Sequence, residues 1–109
     1  MVAVRGIRRE LRPLDADEVA RIPAQLGVYE IVDAAGATLL IGQAGATEPF
    51  GLRSALARHV DDHPGASFRH EFTHGYRTRW QELLMLHQAE QGVLPPGNHD
   101  DARLIGRLG

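Results

Sequence analysis

The sequence predicts an α/β domain built on a small three-stranded antiparallel sheet that is flanked by helices. Residues 26–42 predict a β-hairpin, because two short runs of apolar and β-branched residues surround a turn cluster at residues 33–36. Residues 67–74 alternate in the manner of a third strand, with Phe68 and Phe72 on its buried side. Since a hairpin alone is only marginally stable, the third strand and the helices are expected to cover it.

The helices are predicted from apolar spacing and from residues that cap helix ends. Asp15 and Glu18 form a capping-box pattern before a short helix that ends at Pro23. A second helix is expected over residues 51–61 and a third over residues 76–91, because apolar residues recur there on one helical face.

Length and composition indicate a single domain. The 109 residues are 43% hydrophobic and 24% charged, which is typical of a globular chain. We expect one domain over residues 1–109, with an N-terminal arm and short helix over residues 1–25 and the core over residues 26–109. An edge strand is expected over residues 2–7, and a last short helix over residues 100–105 is expected to close the core.

Several classes of protein are disfavoured by the composition. No apolar run approaches the length that crosses a bilayer, and the first residues lack the apolar stretch of a signal peptide, so we expect a cytoplasmic protein with no membrane partner. The chain has no cysteine, so a bound metal would need oxygen or imidazole ligands.

Charge is distributed unevenly along the chain. The formal net charge of −2 argues against a protein that coats nucleic acid. All twelve cations are arginines, however, and four of them lie in the first dozen residues: Arg5, Arg8, Arg9 and Arg12. This arginine cluster suits phosphate contacts, and its alternative interpretation is a solvated surface.

Two short motifs in the hairpin point to a family. Gly27-Val28-Tyr29 and Leu40-Ile41-Gly42 resemble the paired motifs of the GIY-YIG nuclease domain, with Val for Ile in the first and Leu for Tyr in the second. The order of the later segments agrees with this family: a helix with His59, a strand, a helix with Glu82, and a turn with Asn98. The resemblance covers about the last three quarters of the chain.

The resemblance implies a metal-dependent endonuclease that hydrolyses nucleic-acid phosphodiesters. In this interpretation Tyr29 aligns or deprotonates the attacking water and His59 assists proton movement. Glu82 is the expected ligand of Mg²⁺ or Mn²⁺, since a carboxylate among leucines needs a cation or a donor. Its alternative is an ion pair with Arg79, and the alternative for Tyr29 is a core tyrosine with a hydrogen-bonded hydroxyl.

The chain departs from the family pattern at the position of the catalytic arginine, which is Ala55 here. That arginine offsets the negative charge that develops on the phosphate during cleavage. Arg58 lies roughly 60° round the helix from Ala55 and Arg53 about 160°, so Arg58 is the better candidate for a replacement. The expected nucleic-acid contacts are Gln43, which stands where the family usually has a lysine, together with Arg53 and Asn98.

The sequence thus supports two candidate functions. The first is a divergent endonuclease that uses Tyr29, His59, Arg58 and a metal on Glu82. The alternative is a catalytically inactive module on the same fold that binds nucleic acid, protein or a small ligand. Expected partners are nucleic acid, with DNA preferred over RNA, or a partner protein, and the domain is expected to be a monomer or a homodimer.

Overall fold

A four-stranded antiparallel sheet with the strand order β1-β4-β2-β3 organises the domain. The structure, a computed structural model, describes residues 5–104. In chain order its elements are β1 (Arg12–Pro13), α1 (Ala16–Ala20), β2 (Gly27–Val32), β3 (Thr38–Ala44), α2 (Leu52–Ala57), β4 (Ser67–Phe72), α3 (Tyr76–Gln91) and a C-terminal 3₁₀ helix (Pro96–Leu104). No helix within the described part of the chain is long and apolar enough to cross a membrane.

The predicted hairpin and third strand are confirmed, but the strand count is wrong. β2 and β3 pair as the hairpin, and β4 pairs with the other side of β2. The fourth strand is β1, which pairs with β4 through only two residues. The edge strand expected over residues 2–7 falls partly on residues 1–4, which lie outside the described residues, and residues 5–7 are not a strand.

The helix predictions hold to different degrees. Asp15 accepts a hydrogen bond from the Glu18 amide and caps α1, as the capping-box pattern predicts. α3 spans the predicted residues 76–91. α2 is shorter than residues 51–61, since the helix ends after Ala57. The last helix begins at Pro96, before the expected position.

The register of the strands decides which side chains share a face of the sheet. Tyr29 lies opposite Gly42 on one neighbouring strand and opposite His70 on the other. These three residues therefore share one face, and the next residues along each strand share the opposite face.

Each face carries its own hydrophobic cluster. On the face of Tyr29, the sheet packs against α1 and α2 through Val19, Ile22, Ile31, Leu52, Ala55, Leu56 and Phe68. On the other face it packs against α3 through Val28, Ile41, Trp80, Leu83 and Leu84. We refer to these as the α2 face and the α3 face.

Candidate functional site

Tyr29 and His59, which the resemblance places in one site, meet on the α2 face. The Tyr29 hydroxyl and Nε2 of His59 are 3.0 Å apart, and the two rings are 5.7 Å apart at their centroids. The contact depends on Gly42, because a Cβ on that residue would lie 2.4 Å from the Tyr29 hydroxyl. The glycine of the second motif therefore makes room for the tyrosine of the first.

The neighbouring residue Arg58 is fixed by a carboxylate that no sequence motif indicated. Its guanidinium forms a two-point ion pair with Glu48, with N–O distances of 2.7 Å and 2.6 Å. Ser54 donates a further hydrogen bond to the same carboxylate at 3.1 Å. We call Tyr29, His59, Arg58 and Glu48 the tyrosine–histidine cluster.

The ionisation of this cluster is set by burial and charge. Burial raises the pKa of Tyr29 to about 12, although the nearby Arg58 charge lowers it. Burial, followed by the charges of His63 and Arg58, lowers the pKa of His59 below its usual value. The hydrogen bond from Arg58 lowers the pKa of Glu48. Near neutral pH the cluster therefore holds a neutral phenol, a neutral imidazole and a charged Arg–Glu pair.

The direction of the Tyr29–His59 hydrogen bond fixes the imidazole tautomer. No other partner for the phenol is present among the described residues, so we assign the hydroxyl as the donor and Nε2 as the acceptor. The proton of the neutral ring then lies on Nδ1. The next histidine on this side, His63, has its ring centroid 6.0 Å from that of His59.

Glu82 does not join this cluster, although the endonuclease interpretation uses it together with Tyr29 and His59. Glu82 lies on α3, which packs against the opposite face. Its carboxylate is 3.5 Å from Arg79, whose guanidinium also binds Glu71 on that face at 2.7 Å. Sequence spacing could not reveal this, because it does not say on which side of a sheet a helix packs.

The carboxylate expected to hold a metal, that of Glu82, lies beside a guanidinium and apart from the tyrosine–histidine cluster. Glu82 is engaged by a guanidinium on one face, and Glu48 is engaged by another on the other face. Within the described chain, no group of three or more His, Asp or Glu side chains is arranged to hold a metal ion. Binding of Mg²⁺ or Mn²⁺ by Glu82 therefore stays a prediction, since Mg²⁺ can be held by one or two carboxylates together with water and phosphate oxygens.

The predicted nucleic-acid contacts lie apart from the cluster. Asn98 is 1% exposed, and its side chain accepts a bond from the Ile41 amide and donates one to the Ile41 carbonyl, each at 2.8 Å. Arg53 donates to the carbonyl of Ile22 at 2.8 Å and so ties α2 to the end of α1. Gln43 is paired with Val28 and therefore belongs to the α3 face.

The structure explains why position 55 is not an arginine. Ala55 is fully buried in the core of the α2 face, where a guanidinium would lose its water. Of the two replacement candidates, Arg58 is the one beside Tyr29 and His59, as the helical angles predict.

Part of the N-terminal arginine cluster is used inside the domain. Arg12 forms an ion pair with Glu18 at 2.7 Å, and the Arg9 guanidinium lies 4.9 Å above the Phe72 ring. Both arginines therefore stabilise the packing beside β4.

The fold and the cluster together define a mixed α/β domain with a tyrosine–histidine pair supported by an Arg–Glu ion pair. Residues 6–90 match the family described as Domain of unknown function (DUF7508), and the chain belongs to this family. The matched range includes all four residues of the tyrosine–histidine cluster. Comparison with curated proteins and with solved structures gave no match.

Proposed function

We propose that this domain binds nucleic-acid phosphates at the tyrosine–histidine cluster, on a fold related to the GIY-YIG nuclease domain. The observation that carries the proposal is the 3.0 Å contact between Tyr29 and His59, with the fixed guanidinium of Arg58 next to it. DNA is the first ligand to test and RNA the second.

The donors available to a phosphate come from Arg58 and His59. Arg58 uses two of its five N–H groups on Glu48, and its side chain is 57% exposed, so further donors face solvent. His59 has its Nδ1 proton available because Tyr29 occupies Nε2. A guanidinium that is already oriented loses less side-chain entropy when it binds an oxyanion.

Phosphodiester hydrolysis is the second candidate function, and the same contact supports it. Nε2 of the neutral His59 is able to accept the proton of the Tyr29 hydroxyl, and Arg58 is placed to offset charge on a phosphate. Tyr29 is only 3% exposed, however, so its hydroxyl reaches water or substrate only if the side chains above it move. This favours binding over cleavage.

Binding is tested by fluorescence anisotropy with labelled single-stranded and duplex DNA over a series of salt concentrations. Replacing Arg58 by Gln is expected to weaken binding about fivefold and to reduce the slope of log affinity against log salt by about one. Arg77→Gln is the matched control. Arg77 is an exposed arginine on α3, so this substitution removes the same charge from a part of the surface away from the cluster. Equal losses in the two variants, or no binding at low salt, would contradict the proposal.

Cleavage is tested by incubating the same DNA with the protein in the presence of Mg²⁺, Mn²⁺ or a chelator. If the hydrolysis candidate is correct, Tyr29→Phe loses the activity of the parent and Glu82→Gln retains it. Equal traces of product from all three proteins would indicate a contaminating nuclease and would exclude this function.

A further inference from the structure

A groove of about 460 Å³ lies on the α3 face, away from the tyrosine–histidine cluster. Its walls are the β2–β3 hairpin and the second half of α3, and its apolar lining includes Leu39, Leu83 and Leu86. This volume is within the range of small-molecule sites, and it is too small for a folded partner.

The charged residues that line the groove are all acidic. They are Glu30 and Asp33 from the hairpin and Glu90 from α3, and no arginine is among the lining residues described. Glu30 is neutralised by Arg69 at 2.7 Å. Asp33 uses one carboxylate oxygen to accept bonds from the Ala35 and Ala37 amides. The excess negative charge therefore comes from Asp33 and Glu90.

Hydrogen-bond acceptors remain in this groove after the internal contacts are counted. The second oxygen of Asp33 and the carboxylate of Glu90 have no partner among the described residues. His87 also lines the groove, and its Nδ1 is 2.9 Å from the Val93 carbonyl. Since a carbonyl only accepts, Nδ1 carries the proton of the neutral ring, and Nε2 is left as an acceptor.

We propose that this groove binds a small organic cation, an amine with an aromatic or branched aliphatic body. The ammonium group donates hydrogen bonds to Asp33, Glu90 and Nε2 of His87, and its positive charge offsets that of the two carboxylates. The apolar body of the amine packs against the leucines that line the groove. Burial of apolar surface would provide most of the affinity, and the carboxylates would provide selection for charge. This site is separate from the proposed phosphate site, because the two lie on opposite faces of the sheet.

The test compares two probes that share a body and differ in charge, 4-phenylbutylamine and 4-phenylbutyrate, by calorimetry at pH 8. The amine is expected to bind saturably and the carboxylate is not. Glu90→Gln is expected to weaken amine binding about threefold, the size typical of an exposed charge contact. Glu82→Gln, the same change on the same helix outside the groove lining, is expected to have no effect.

A charge reversal makes the test decisive. Glu90→Arg is expected to remove amine binding and to allow 4-phenylbutyrate to bind. Ala89→Arg adds an arginine at the neighbouring exposed position, outside the groove lining, and is expected to change neither. Equal affinity of the parent for both probes, no binding of the amine, or equal effects of the two arginine variants would each overturn the proposal.

Discussion

Tyr29 packs over Gly42 and also orients His59 through a hydrogen bond. Its ring occupies the volume that a side chain at position 42 would need, and its hydroxyl meets Nε2 of His59. The two motifs of the hairpin are therefore coupled by sterics. Through one hydrogen bond, they also set which nitrogen of His59 faces away from the core.

Removing the Tyr29 hydroxyl is expected to cost a hydrogen bond without disturbing the packing. Tyr29→Phe should lower the free energy of unfolding by about 1 kcal/mol, measured by urea denaturation. Tyr76→Phe is the control, because the Tyr76 hydroxyl accepts only a long 3.4 Å bond from the Ala46 amide. A change no larger at Tyr29 than at Tyr76 would contradict the importance of the Tyr29–His59 contact.

His70 is expected to make stability depend on pH. It is 2% exposed, and burial, together with the charges of Arg9 and Arg12, lowers its pKa from 6.5 to about 4. Between these two pKa values His70 is protonated in the unfolded chain and neutral in the folded chain. The free energy of unfolding therefore falls as the pH decreases from about 6.5 to 4. The full loss would be about 3 kcal/mol.

Denaturation of the parent, His70→Met and His74→Met across this pH range measures the contribution. His70→Met is expected to flatten most of the slope, and His74→Met should leave it unchanged because His74 is exposed. A residual slope is expected from His59, whose pKa is also lowered. An unchanged slope in His70→Met would contradict this assignment.

At the residue scale, the sequence predicted contacts between residues on one face of the sheet. It missed a contact made by a loop residue, and it did not show on which face a helix packs. The structure places Tyr29, His59 and Arg58 together; the resemblance implies the first two, and the helical angle favours Arg58. Glu48 was missed, since it lies in an irregular loop with no period. Its one signal was that it is an acidic residue shortly before a helix that carries arginines.

At the scale of secondary-structure elements, Asn98 joins the C-terminal 3₁₀ helix to β3. Its side-chain amide binds both the amide and the carbonyl of Ile41, and it also donates to Asp101 at 2.9 Å. Trp80 adds a second donor to the Ile41 carbonyl at 2.9 Å, so β3 is held by two elements at one residue. Asn98 thus has a structural role that its position in a turn did not reveal.

Asn98→Ala is expected to destabilise the domain by about 2–4 kcal/mol, because the Ile41 amide loses its partner in a buried place. Asn98→Asp keeps an acceptor for that amide, but it places a buried carboxylate against the Ile41 carbonyl and the Asp101 carboxylate, so it should cost at least as much. Hydrogen exchange provides a local measurement: the Ile41 amide should exchange faster in both variants than in the parent. Equal protection of this amide in all three proteins would show that Asn98 does not hold β3.

The predictability of each element depends on the length of its pattern. The hairpin and α3 were predicted closely, since their apolar residues repeat over many positions. β1 was missed because two residues, one of them Pro13, carry no period. α2 was predicted too long because Val60 packs against the core although it lies beyond the end of the helix.

At the scale of the whole molecule, the sheet separates two surfaces of different chemistry. The α2 face presents Arg58 beside His59, and the α3 face presents the acidic groove with Asp33 and Glu90. Because the two sites share no residue and lie on opposite faces of the sheet, a ligand on one face should not perturb the other directly.

This separation predicts two distinct sets of amide shifts in NMR titrations. DNA is expected to shift resonances of residues 45–63, and 4-phenylbutylamine those of residues 33–39 and 86–91. Saturating one ligand should leave the affinity for the other unchanged within about 0.5 kcal/mol. Shifts that move together, or a change in affinity well above this value, would show that the faces are coupled.

The two borders of the sheet avoid pairing with another chain by different means. β1 is short and ends in Pro13, which has no amide hydrogen to donate. β3 lies at the other border, where the Asn98 amide takes the place that the backbone of a further strand would occupy. Loss of that side chain would leave the Ile41 amide and carbonyl free to pair with a strand from a second copy of the chain. Self-association would then accompany the loss of stability.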